Sequence, residues 1–86
     1  MSTVGGIRSA IGAIVDESDQ ASAAITQAID IYERAQSRLI QEMQETGQGD
    51  VAEAVGIFAG TLDHLRDALG VGRAGVRAAE AVAARL

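Results

Sequence analysis

Apolar and small residues return at alternating steps of three and four over almost the whole chain, in two runs separated by one glycine-rich break near the middle. The first run carries Val4, Ile7, Ile11, Ile14, Ser18, Ala21, Ile25, Ala28, Tyr32, Ala35 and Leu39. The second carries Val51, Val55, Phe58, Leu62, Leu65, Leu69, Gly72, Val76, Ala79, Ala83 and Leu86. This alternation lines one side of an α-helix and fits no strand, so each run predicts a long helix with a seam of the coiled-coil kind. In the break, Thr46-Gly47-Gln48-Gly49-Asp50, Gly47 can take the left-handed conformation that closes a helix. Asp50 can cap the next one, and Glu53 three residues on completes a capping box.

The reading is a single domain over 1–86, with a helix at about 4–46, a turn at 47–50 and a helix at about 51–85. Folding the helices back about this turn sets Leu39 opposite Phe58, Ala35 opposite Leu62, Tyr32 opposite Leu65 and Ala28 opposite Leu69. Small residues meet large ones along the seam, as interdigitated side chains require. Asp16-Glu17-Ser18-Asp19 and the stretch from Gly70 to Gly75 are the two places where a helix can be interrupted. The heptad phase runs through both, so kinked or locally frayed helix is expected there rather than a loop. Ser2 or Thr3 is expected to cap the first helix.

Composition then says what such a hairpin lacks. With 86 residues, little of the surface can be buried by two helices alone, and small domains rely on staples or partners. The chain has no cysteine and one histidine, so disulfides and thiolate metal sites are excluded. Association is the remaining route to stability. The expected fold class is all-α, a two-helix antiparallel coiled-coil hairpin that completes a four-helix bundle by dimerisation.

Twelve acidic residues against seven basic ones, all arginine, give a net charge of −5, which opposes nucleic-acid backbones and anionic membranes. No run of apolar residues is long enough to span a bilayer, and no secretory leader pattern opens the sequence. Neither nucleic-acid binding nor membrane insertion is expected, and the chain reads as cytoplasmic as synthesised, with export of a folded hairpin left open.

Apolar residues also lie beside the seam. The first helix carries Val15, Ile29, Ile31, Ile40 and Met43 there, a wider stripe than one helix contact needs. From Ala74 onward the second helix is apolar nearly all round, through Ala74, Ala78, Ala81 and Val82. These positions are read as the partner interface, for a homodimer or a heterodimer with another helical hairpin. The competing reading, that alanines there simply favour helix and face water, leaves an isolated two-helix hairpin of marginal stability.

Groups for chemistry are sparse. His64 lies near Asp63 and Asp67, but the Glu-x-x-His spacing of di-iron bundles is missing, since residue 61 is Thr. Asp16, Glu17 and Asp19 lack the alternation and glycine of a calcium loop. Gly56 and Gly60 fit close soluble packing, Tyr32 fits the seam, and Asp30 with Arg34 and Asp63 with Arg66 have the spacing of helical ion pairs. No catalytic residue, metal or cofactor is expected, and the reading is a non-enzymatic interaction module or, failing that, a structural subunit of a larger helical assembly.

An acidic, cysteine-free chain of this length, with two antiparallel helices joined near its middle, resembles the Trp-X-Gly hairpin family of small type VII secretion substrates. It is similar in shape to the hairpins that precede toxin domains in actinobacterial polymorphic toxins. The stretch corresponding to the family's turn is Gly47-Gln48-Gly49-Asp50, which matches at Gly49 and lacks the tryptophan. The C-terminal export pattern, a Tyr followed four residues later by Asp or Glu, is also missing before Arg85-Leu86. The resemblance implies a dimeric hairpin acting as secreted substrate, adaptor or toxin-associated partner.

Overall fold

In a computed structural model the chain forms two α-helices, α1 (Val4–Thr46) and α2 (Gly49–Ala84). The structure describes residues 3–46 and 49–86, with residues 43, 45, 46, 49 and 50 described by backbone alone. Gly47, expected to close α1, lies outside the described residues, as does the side chain of Asp50. The second helix begins at Gly49 rather than Val51, so Gly49 and Asp50 belong to its first turn and the connection is shorter than expected.

Thr3 caps α1: its hydroxyl accepts a hydrogen bond from the Gly6 N–H at 3.0 Å and its carbonyl one from Ile7 at 2.9 Å. This satisfies donors that the first turn of any helix leaves without partners. At the other end of the chain, Arg85 and Leu86 donate to the carbonyls of Val82 and Ala83, tightening the last turn of α2. No loop forms at either of the two candidate interruptions. Helix is continuous through Asp16 to Asp19 and through Gly70 to Gly75.

The helices run antiparallel. Glu33 of α1 meets Arg66 of α2, whereas Gln36, further along α1, donates from its side-chain amide to the carbonyl of Val55, further back along α2. The molecule measures 64 × 17 × 14 Å, as expected for a helix of 43 residues rising about 1.5 Å per residue. Its radius of gyration of 19.4 Å far exceeds the roughly 12 Å of a compact domain this long. The hairpin is a rod.

Leu62 and Ile29 are the most buried apolar side chains among the described residues, 3% and 8% exposed. They locate the seam, which differs from the expected one on α1. Ile7, Ile11, Ser18, Ile25, Ala28, Tyr32, Ala35 and Leu39 are partly buried as anticipated, but a further column of contacts runs through Val15, Ser22, Ile29 and Gln36. Ile14 and Ala21, placed on the seam from sequence, are exposed. A turn of α1 about its axis by less than one column accounts for this, because Ile29 offers more apolar surface to α2 than Ala28 on the other flank. On α2 the expected column holds from Val51 to Ala83, while Gly72, Leu86 and, on α1, Val4 are exposed. Tyr32 packs its ring on Phe58, with centroids 5.6 Å apart.

Two variants test this account. Leu62→Ala is expected to lower the unfolding free energy by about 2 to 4 kcal/mol, read by chemical unfolding followed by circular dichroism. Gly70 sits within α2, and a methyl group there meets no atom within 4 Å. Gly70→Ala is therefore expected to raise stability by about 0.5 to 1 kcal/mol in the same experiment.

Candidate functional site

The contact between Glu33 and Arg66 fixes which side of each helix lies on which side of the hairpin. Its oxygen-to-nitrogen distance is 2.9 Å, and about half of each side chain remains exposed. Arg66 makes this bond across the seam rather than the helical one expected with Asp63, and no Asp30–Arg34 pair forms among the described residues. The side that carries it presents Asp19, Glu33 and Ile40 from α1 and Asp63, Arg66, Arg73 and Arg77 from α2, all exposed. This side is a solvated, mixed-charge surface.

Heptad geometry places the remaining flanks of both helices on the opposite side. From α1 these are the columns through Ile7, Ile14, Ala21, Ala28 and Ala35 and through Ala10, Glu17, Ala24, Ile31 and Arg38. From α2 they are the columns through Ala54, Thr61, Ala68, Gly75 and Val82 and through Ile57, His64, Val71 and Ala78. The large side chains here are open to solvent: Ile57 and Val71 are each 65% exposed and Ile14 is 53%. Ile31 and Val82 are exposed as well. Glu17, Arg38, Glu42, His64 and Arg85 are the titratable residues that these columns carry among the described side chains. The two helices thus build one apolar surface along the length of the rod.

The positions read from sequence as a partner interface divide among these surfaces. Ile31, Ala78 and Val82 lie on the apolar face, and Ala74 and Ala81 are exposed at its outer edge. Val15 and Ile29 are corrections: Ile29 is buried against α2 and Val15 partly so, because the rotation of α1 turns them inward. Ile40 is exposed, 38%, but on the charged side. The sequence reading passed over Ile57 and Val71 altogether, having looked for an interface in the alanine-rich end of α2. Their signal was a second alternation of three and four on that helix, through Ala54, Ile57, Thr61, Ala68, Val71, Gly75, Ala78 and Val82.

Other candidate groups do not converge. Glu17 points away from the face of α1 that Asp16 and Asp19 share. No group of three or more His, Cys, Asp or Glu side chains able to hold a metal ion occurs among the described residues. A shallow depression bounded by Ile31, Arg34, Ala35 and Arg38 opens beside the apolar face. No described helix is long and apolar enough to cross a membrane. The chain matches no family model, no curated protein and no solved structure.

The accessible surface is 6098 Å², against about 4,800 Å² for a compact monomer of its mass. The excess, roughly 1,300 Å², is of the order one subunit contributes to a large, stable interface. On the charged side the expectation is different: Glu33→Ala should cost less than about 1 kcal/mol in chemical unfolding, because the pair it removes is half exposed.

Proposed function

We propose that this chain is a protein–protein interaction module that acts by docking its apolar face on another helical hairpin, either a second copy or a related chain, to make a four-helix bundle. The observation that carries this reading is the placement of Ile14, Ile31, Ile57, Val71 and Val82 on one side of the hairpin, all exposed, opposite a side that is heavily charged. Contiguous apolar surface of this extent is uncommon on isolated proteins and marks association sites.

Packing supports the same partner class. A two-helix contact leaves one flank of each helix uncovered, and the two uncovered flanks lie at about a right angle to the seam on the same side. A second hairpin laid there meets both helices at once, and the small residues Ala21, Ala24, Ala68, Gly75 and Ala78 allow close approach. A role as a secreted substrate, adaptor or toxin-associated partner, as implied by the resemblance to Trp-X-Gly hairpins, requires the same docking.

The test is mass by light scattering over a wide concentration range, alone and with candidate hairpin partners, for the native chain, Val71→Glu and Arg73→Glu. Val71→Glu is expected to weaken association by roughly a hundredfold or more, as buried charge at an interface centre does. Arg73→Glu, on the charged side, should leave it within a few-fold. Equal effects of the two variants would remove the basis for the apolar face as the docking surface.

A further inference from the structure

We propose that the partner is a second copy of this chain, docked antiparallel about a two-fold axis passing beside Ala28 and Ala68, with Glu17 of each copy paired to Arg38 of the other. The inference rests on the docking face described above and goes beyond it by fixing the partner and its direction.

Besides Glu42 near the turn, two charged residues are set into α1's part of the apolar face. Glu17 and Arg38 are exposed, and among the described residues neither forms an ion pair within the hairpin. They have opposite charge and stand almost equidistant from Ala28 along α1. A two-fold axis across the rod at Ala28 lays α1 antiparallel on its own copy and brings each Glu17 to an Arg38. Two charges that interrupt an apolar face from one chain become two ion pairs from two chains, and self-complementarity of this kind is what an isologous interface demands.

The same axis fits the side-chain sizes. On α1 it sets Ala24 against Ile31 of the second copy. Ala68, at about the height of Ala28, then fixes the pairing on α2: Ile57 falls opposite Ala78 and Val82 opposite Ala54. Large side chains meet small ones on both helices, and alanine meets alanine on the axis, where backbones come closest. The depression bounded by Ile31, Arg34, Ala35 and Arg38 receives the segment from Glu17 to Ala24, with the carboxylate arriving at the arginine end.

The parallel alternative, with both turns at one end, lays α1 on α2 of the second copy. Glu17 then faces Ala78 and Arg38 faces Ile57, so neither charge finds a partner and both oppose apolar surface. Charge therefore separates the two arrangements, although apolar area does not.

A charge-swap experiment uses this difference. In Glu17→Arg and in Arg38→Glu every cross-copy pair becomes like-charged, so each variant alone should associate at least roughly tenfold more weakly than the native chain. An equimolar mixture of the two contains only opposite pairs, and association should return to within a few-fold of native. Both positions are exposed, and helicity by circular dichroism in the same samples reports that the hairpin remains folded. Recovery in the mixture supports the antiparallel pairing. Variants that associate like the native chain, or a mixture as weak as its components, would overturn it. In that case Val71→Glu still decides the docking face independently. A native chain that stays monomeric alone but joins a different hairpin would overturn self-pairing and leave the face intact.

Discussion

One seam between two helices can cover only one flank of each, and the rest of this structure follows from that limit. The seam is closed at its centre by Leu62 and Ile29 and extended by the tilted ring pair of Tyr32 and Phe58. Away from that centre the contacts involve Ser18, Ser22 and Ala79, which offer little area to bury. The hairpin is therefore held most firmly in its turn-proximal half. The ends near Ile7 and Ala83 are joined by smaller or more exposed side chains.

The rotation of α1 decides what remains outside. Had α1 turned the other way, Ile14 and Ala21 would lie in the seam, and Val15 and Ile29 would be exposed beside Glu33 on the charged side. As folded, the β-branched Ile29 is spent within the hairpin, and Ile14 and Ile31 join Ile57, Val71 and Val82 in one surface. The division into a charged side and an apolar side is thus a property of the pair and cannot be read from either helix alone.

The two helices, their antiparallel arrangement and the continuity of both through their glycines were legible in the sequence, since a three-four alternation has one structural solution and the phase never slipped. The rotation of α1 was not. Columns through Ala28 and through Ile29 both flank Tyr32, and choosing between them needs the shape of α2, with Leu62 at its most buried point. The break between the helices was legible as well, but Gly49 and Asp50 were assigned to the turn when they open α2, since capping chemistry marks a helix start only to within a residue or two. Ile57 and Val71 were missed because an alternation so close to a stronger one is concealed by it until a second helix shows which of the two is covered.

Several glycines lie inside these helices with nothing near the position a methyl group would take, among them Gly12, Gly56, Gly70 and Gly72. Each leaves a helix about 1 kcal/mol less stable than alanine would, in a hairpin with a thin core. Anything that binds only the folded form adds its binding free energy to folding. Such a chain gains its durability when the face is occupied, and the unoccupied form is the one that opens and is open to proteolysis. The amount of this protein that persists would then track the supply of whatever covers the face, a means of matching copy numbers that requires no dedicated regulator.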